Sequence, residues 1–265
     1  MRKSVENSVE KSISRSIKNN YILPVIVLVL ILLIWEMGIR ISGTPIYILP
    51  APSDIAAALT DDFGRLISES AVTMSETLLG MAIAVILAIA GALIMDRFGL
   101  MKNAIYPLLV ISQAIPVIVL APIFIIYLGF GMAPKVLTVV LMCFFPIIVT
   151  YTDGLSRVDQ RLVNLVKSYG ANIFQVYYLI KMPAAFDSLF SGAKIAATYS
   201  VTGAVVGEWL SSDSGLGYYM LITKNGYMLD KMFASILMVV ILSLLMNGLV
   251  RLIKYLLMPG TRSSR

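Results

Sequence analysis

Six stretches of this chain are too apolar and too long to be left in water: 22–39, 78–95, 105–128, 136–151, 189–210 and 232–249. A helix crosses roughly 30 Å of hydrocarbon with about 20 residues at about 1.5 Å each, so every run reads as a membrane-spanning helix. Composition points the same way. Of the 265 residues 58% are apolar and 14% charged, and the mean hydropathy is +0.87, which excludes an ordinary soluble domain. The expected fold is an all-α integral membrane protein of about six transmembrane helices. Residues 1–20 form an N-terminal tail, 21–259 the membrane domain and 260–265 a C-terminal tail.

Basic residues orient the bundle. With the N-terminus inside, fifteen of the 21 Lys and Arg fall in cytoplasmic segments, among them Arg97, Lys102, Arg157, Arg161, Lys167, Arg251 and Lys254. Five fall on the other side (Arg40, Arg65, Lys135, Lys224 and Lys231), and Lys194 lies within a span. That bias predicts both termini in the cytoplasm. The net charge of +6 is scattered over inter-span loops rather than gathered on one face, so no nucleic-acid partner is expected. The first apolar run is too long for a signal-peptide core and no small-x-small site follows it, so it is expected to stay attached. Ahead of it, Val5, Val9, Ile13 and Ile17 recur every fourth residue, readable either as a stripe lying on the membrane surface or as part of a polar tail.

Several chemistries are excluded outright. There is no histidine and one cysteine, Cys143, inside an apolar run. A His or Cys metal site, a Ser-His-Asp triad and a disulfide are therefore out of reach, and no catalytic residue is assigned. No G-x-x-x-x-G-K-[ST] phosphate loop occurs, so any ATP and Mg used would be bound by a separate subunit.

Two outward segments can meet a partner. In 42–70, Leu49-Pro50-Ala51-Pro52-Ser53-Asp54 offers Ser53 or Asp54 as the cap of a short helix running to about Leu59. In 211–231, Gly215-Leu216-Gly217 forms a turn rather than a phosphate loop.

The connection 152–188 is the longest cytoplasmic one and reads as two short helices. The first opens at Asp159, places Leu162, Val163, Leu165, Val166 and Tyr169 on one side, and stops at Gly170. The second opens near Asn172, carries Ile173, Phe174, Val176, Tyr177 and Ile180, and is expected to end at Pro183. Helices this short are marginal in water, so their apolar faces dock on something: the chain's own spans, the lipid surface or a soluble partner's groove.

At this connection the chain resembles the EAA loop of permease subunits of binding-protein-dependent ABC importers. That pattern runs Glu-Ala-Ala, three residues, Gly, nine residues, Ile, one residue, Leu-Pro. Gly170, Ile180 and Pro183 keep the register, with Ala171 beside the glycine, while Asn164-Leu165-Val166 replaces the name-giving triplet and Met182 the leucine. Further matches follow in order along the chain: Gln113-Ala114-Ile115-Pro116 with Ala121-Pro122, Leu128-Gly129-Phe130-Gly131, Phe145-Pro146-Ile147, Gly207-Glu208 and Gly215-Leu216-Gly217. They are most similar to the nitrate, sulfonate and taurine branch. Tyr218-Tyr219 and Asp230-Lys231-Met232-Phe233-Ala234 resemble its members that move a thiamine pyrimidine precursor.

The resemblance implies a type I importer permease bundle in a prokaryotic plasma membrane. It implies a second copy of the chain as a homodimer partner, an ABC ATPase subunit gripping the loop, and an extracytoplasmic solute-binding protein delivering substrate. The coupling residues would be Asn164, Leu165, Val166, Gly170, Ala171, Ile180 and Pro183.

Inside the spans, Gly192, Ala196, Ser200 and Ala204 recur at four-residue intervals, which suits tight helix packing, a pore-lining face, or both. Ser200 and Thr202 could offer hydroxyls to a polar solute. Lys194 and Glu208 lie roughly 21 Å apart along one helix. Lys194 suits snorkelling to an interface, and Glu208 is expected near the outer face as a gate or entry residue. Glu36 and Arg40 suit an interfacial ion pair. Three prolines, Pro107, Pro116 and Pro122, crowd the third span. They free carbonyls that lipid cannot satisfy, so this helix should be buried or line a cavity, with Gln113 and Pro116 in the pathway. The alternative class is an ion- or proton-coupled secondary transporter. That class should show midmembrane acid relays and an internal repeat, and neither is found in the first four spans.

Overall fold

The computed structural model describes residues 2–211 and 213–258, with side chains over 22–210 and 213–258. The Val5 to Ile17 stripe and the 260–265 tail lie outside those side chains. Among the described residues every regular element is a helix, in the order α1 (Arg2–Ser42), α2 (Pro52–Asp61), α3 (Phe63–Arg97), α4 (Gly99–Ser112), α5 (Val117–Leu128), α6 (Met132–Ser156), α7 (Gln160–Ser168), α8 (Ile173–Val176), α9 (Met182–Ser211), α10 (Leu216–Asn225) and α11 (Leu229–Leu257). Five segments are long and apolar enough to cross a bilayer, and α4 with α5 make a sixth, bent by 101°.

The chain divides into two compact units, one of residues 1–62 and 223–234, the other of 63–222 and 235–265. In the first, Arg40 on α1 bonds Glu36 at 3.0 Å and Asp54 at 2.7 Å. The expected Glu36–Arg40 pair is thus part of a larger cluster that seats α2 on the end of α1. Ala51 is the N-cap residue and Pro52 opens the helix, where its missing N–H costs nothing. The Asp54 carboxylate accepts from the Ala51 N–H at 3.0 Å, while Ser53 Oγ donates to Glu36 instead. Lys231 pairs with Asp62 at 2.9 Å.

In the second unit α6 and α9 form the core with α3 beside them. Val139, Cys143, Ile147, Tyr151, Ala196, Ala197, Val201 and Ala204 are all fully buried. Close approach explains the small residues. A Cβ on Gly192 would lie 2.8 Å from Pro146 O and 2.9 Å from Ile147 Cα, and one on Gly207 would lie 2.9 Å from Lys135 Cα. Tight packing is therefore what the Gly192, Ala196, Ser200, Ala204 series does.

Side-chain bonds fix the relative directions of α3, α6 and α9. The end of α3 meets residues 177–181, just before α9, through Asp96 and Lys181, and the start of α4 meets the end of α6 through Lys102 and Ser156. At the other end, the start of α3 meets the end of α9 through Thr73 and Glu208. Helices α3 and α6 therefore run parallel, with α9 opposed. Between the end of α3 and the start of α6 the chain must cross the bundle, so the bent pair α4–α5 is a broken span rather than a re-entrant loop.

Two expectations need correction. The run 105–128 is not one continuous helix. Residues 113–116 break it, because Pro116 has no N–H to continue the ladder and Pro122 lies six residues on. Pro183 does not end the second loop helix either. A π-turn at Tyr177–Lys181 widens the ladder so that Met182 N–H bonds the Tyr177 carbonyl, and α9 then continues through Pro183.

The α6–α9 approach yields a stability prediction. Gly192→Ala should cost about 1–3 kcal/mol through overpacking, whereas Gly248→Ala, with nothing within 4 Å, should be neutral or slightly stabilising; thermal unfolding of the detergent-solubilised protein distinguishes them.

Candidate functional site

The break in the third span has a direct consequence. Peptide groups freed in hydrocarbon need protein or water around them. At the break lies a cavity of about 560 Å³, bounded by Ser112 and Gln113, by Met142, Phe145 and Thr150 of α6 and by Tyr199 of α9. These positions sit near the midpoints of α6 and α9, so the cavity is at mid-depth. Its lining contains no charged side chain. The Thr150 hydroxyl donates back to the Pro146 carbonyl at 2.7 Å and Ser112 Oγ to the Leu109 carbonyl at 2.9 Å. Gln113 leaves its carboxamide exposed at the C-terminal end of α4. A small solute would meet one amide and one phenol on otherwise apolar walls.

Of the sequence-based pathway residues, Gln113 lines this cavity and Pro116 caps the helix that leaves it. Ser200 is fully buried, donating to the Ala197 carbonyl at 2.9 Å, and Thr202 is exposed outside the lining. Glu208 lies near the C-terminal end of α9, at the end of the bundle away from the loop, and is not open to a solute. It is fully buried, and its depth reflects partners far away in sequence. Thr73 Oγ1 donates to Glu208 Oε1 at 2.7 Å and the Gly217 N–H to Oε2 at 2.6 Å. The Leu216 N–H donates to Thr73 Oγ1 at 2.9 Å and the Gly215 N–H to Glu69 Oε2 at 2.6 Å. Gly215, at φ +102, has no room for a Cβ against the Glu208 carboxylate. The turn 215–217 is thereby sewn onto α3 and α9, and the Lys135–Glu76 pair, 2.5 Å apart and buried, ties in α6.

The opposite end carries the loop. Asp159 accepts the Arg161 N–H at 2.8 Å and starts α7 as expected. Gly170 adopts φ +83, its N–H bonding the Lys167 carbonyl at 2.9 Å while the Ala171 N–H bonds that of Val166 at 3.2 Å. This is the double bond of a Schellman stop, which gives Ala171 a role beside the glycine. Asn172 and Gln175 close a reciprocal capping box on α8 at 2.8 and 2.9 Å. The apolar side chains then divide. Val163 and Val176 are buried against the chain, whereas Leu165, Tyr169 and Phe174 are 53%, 84% and 81% exposed. Asn164 and Pro183 are also exposed, and Val166 and Ile180 half-buried. The base of the loop is rigidly attached: Tyr177 Oη and Lys181 Nζ both bond Asp96 Oδ2 at 2.6 Å.

Sequence reading missed Thr150, Tyr199 and Asp96. Thr150, at i+4 from Pro146, had the one available signal, a hydroxyl placed to bond a carbonyl beside a mid-span proline.

Comparison with known proteins bears on this arrangement. The family described as binding-protein-dependent transport system inner membrane component matches residues 80–263. A probable ABC transporter permease protein of Haemophilus influenzae is 34% identical over 83% of this chain and 90% of its own length. A formylaminopyrimidine transport permease protein of Halalkalibacterium halodurans is 34% identical over 89% and 94%. A riboflavin transport system permease protein of Chloroflexus aurantiacus is 31% identical over 88% and 87%. The chain belongs to this family and is a multi-pass permease component of an ABC transport system.

The Thr73 node is testable by itself. Thr73→Val removes a donor to Glu208 and an acceptor for Leu216 together, and should cost about 1–3 kcal/mol. It should also speed proteolysis at 213–217, while Ser75→Ala, whose hydroxyl makes an exposed local bond, should change neither; thermal unfolding and limited proteolysis read both.

Proposed function

We propose that this family member forms, with a second copy of itself, the pathway for a small uncharged ring compound, and that α7 and α8 are where a separate ATPase subunit grips it. The observation that carries the coupling assignment is the division of the loop: one apolar side anchors to the chain through Val163 and Val176, and the other offers Leu165, Tyr169 and Phe174 to a groove. A helix laid into a partner's groove needs such unpartnered anchors. The Asp96 bonds to Tyr177 and Lys181 join that contact to the ends of α3 and α9, so a displacement of the loop is passed to both spans rather than absorbed in a linker. ATP and Mg belong to the partner, and an extracytoplasmic binding protein supplies the solute.

The cavity supports the choice of substrate class. An anion such as a sulfonate or nitrate entering it would lose hydration without finding a counter-charge, a large cost. A neutral heterocycle loses less, fits about 560 Å³, stacks on Phe145 or Tyr199, and is oriented by the Gln113 amide. Relatives named for formylaminopyrimidine and riboflavin transport, both ring compounds, support this choice. No feature favours the ion-coupled carrier: Lys135 and Glu76 are paired with each other.

Two measurements test the proposal. In cells carrying the whole transporter, Gly170→Arg should abolish uptake and ATPase stimulation while leaving membrane insertion intact, because any side chain strains φ +83 and a long cation obstructs the docked turn; normal uptake rejects the coupling assignment. Gln113→Ala should reduce uptake of labelled formylaminopyrimidine by roughly tenfold, the value of one lost hydrogen bond in a dry site, and transport of taurine in preference to the pyrimidine rejects the substrate class.

A further inference from the structure

A second cavity, of about 450 Å³, lies between α9 and the far end of α11 and serves none of the steps above. It is lined by Phe190, Ser191 and Lys194 on α9 and by Val250, Arg251 and Lys254 on α11. Half of these residues are cations. Lys254 is paired, its Nζ 2.7 Å from Asp187 Oδ1. Lys194 and Arg251 face the same space with no carboxylate partner among the described residues. Even with Asp187 counted, the pocket carries a surplus of two positive charges. Arg251 and Lys254 are three residues apart and share a helix face; Asp187 offsets Lys254, which leaves the charges of Arg251 and Lys194 for a further anion.

Lys194 lines the same pocket, which gives the cation inside the run 189–210 a polar space to face. It reaches the level of Arg251 and Lys254, as a snorkelling side chain does. The surroundings identify the class of anion. Leu244 and Val240, seven and eleven residues before Arg251 on the same face of α11, are exposed. A polar, positively charged socket bordered by bare aliphatic side chains on a spanning helix has the shape of a headgroup site with acyl chains alongside. An acidic segment of a soluble protein would satisfy the charges but would leave Leu244 and Val240 to lipid it could not exclude.

We propose that Lys194, Arg251 and Lys254 bind the phosphate group of an anionic phospholipid, whose acyl chains run along the apolar face of α11. Basic groups of this kind at a membrane surface each strengthen binding of anionic lipid, and the contribution falls with salt. Occupancy would hold the end of α11 to α9 beside the Asn247–Thr198 contact.

The test uses the full-length protein in detergent, with thermal unfolding followed as dioleoyl phosphatidylglycerol, dioleoyl phosphatidylcholine or inorganic phosphate is added. Phosphatidylglycerol should raise the unfolding temperature and phosphatidylcholine should not. The double variant Lys194→Gln, Arg251→Gln should weaken the apparent affinity on the order of tenfold, the conservative pair Lys194→Arg, Arg251→Lys should retain it, and Lys102→Gln, which does not line the pocket, should behave as the parent. Native mass spectrometry supplies the same comparison without unfolding, through the phosphatidylglycerol retained by parent and variant. Stabilisation by inorganic phosphate alone, lost in the same double variant, would assign the site to free phosphate and overturn the lipid assignment. Equal effects of the two lipids, or undiminished phosphatidylglycerol binding by the double variant, would overturn the site itself. So would a double variant that keeps its lipid but loses a soluble acidic partner.

Discussion

In hydrocarbon every peptide group must find its hydrogen-bond partner inside the protein, and an orphan there costs several kcal/mol. This chain nevertheless interrupts a span at mid-depth, at 113–116. Beside the interruption α6 and α9 supply the walls of a cavity, and glycines let those two helices approach one another closely. Packing and pathway are thus two sides of the same constraint. The residues that bring α6 against α9 also shape the walls of the cavity, and Thr150 serves both, bonding the Pro146 carbonyl while facing the open space.

The two ends of the bundle are finished differently. At one, Glu208, Glu69 and Thr73 spend their hydrogen bonds on backbone N–H groups of the 215–217 turn, leaving little freedom there. At the other, Asp96 gathers Tyr177 and Lys181 and so fixes the base of the loop, but the tips of α7 and α8 keep large apolar side chains in the open. A rigid base with uncovered anchors is what a force-transmitting contact requires. Buried polar networks of this kind are costly when half satisfied, which explains why the turn needs glycine at 215 and cannot substitute a bulkier residue.

Much of this was legible in the sequence because it is local. Asp159, Gly170 and Asn172 announce caps within three or four residues of the groups they satisfy, and five of the six apolar runs are continuous spans. What was not legible depends on distance or on backbone detail. Glu208 reads as a gate or entry residue, and nothing near it in sequence announces that Thr73, 135 residues away, holds it inside the bundle. Hydrophobic periodicity continues straight through 113–116, so only the cluster of prolines hinted at the bend. Pro183 looks like a stop because sequence patterns do not encode the π-turn that lets α9 run through it. The split of the α7 face into Val163 inward and Leu165 outward likewise needs the neighbouring spans in place.

The central claim is that the exposed side of α7 and α8 meets the ATPase subunit, and the single cysteine makes it directly measurable. On a Cys143→Ala background, Phe174→Cys labelled with a photoactivatable benzophenone maleimide in membranes holding the complete transporter should, on illumination, form an adduct with the ATPase subunit. An adduct to lipid alone, or modification of Phe174→Cys by a membrane-impermeant maleimide added outside intact cells, would contradict the account.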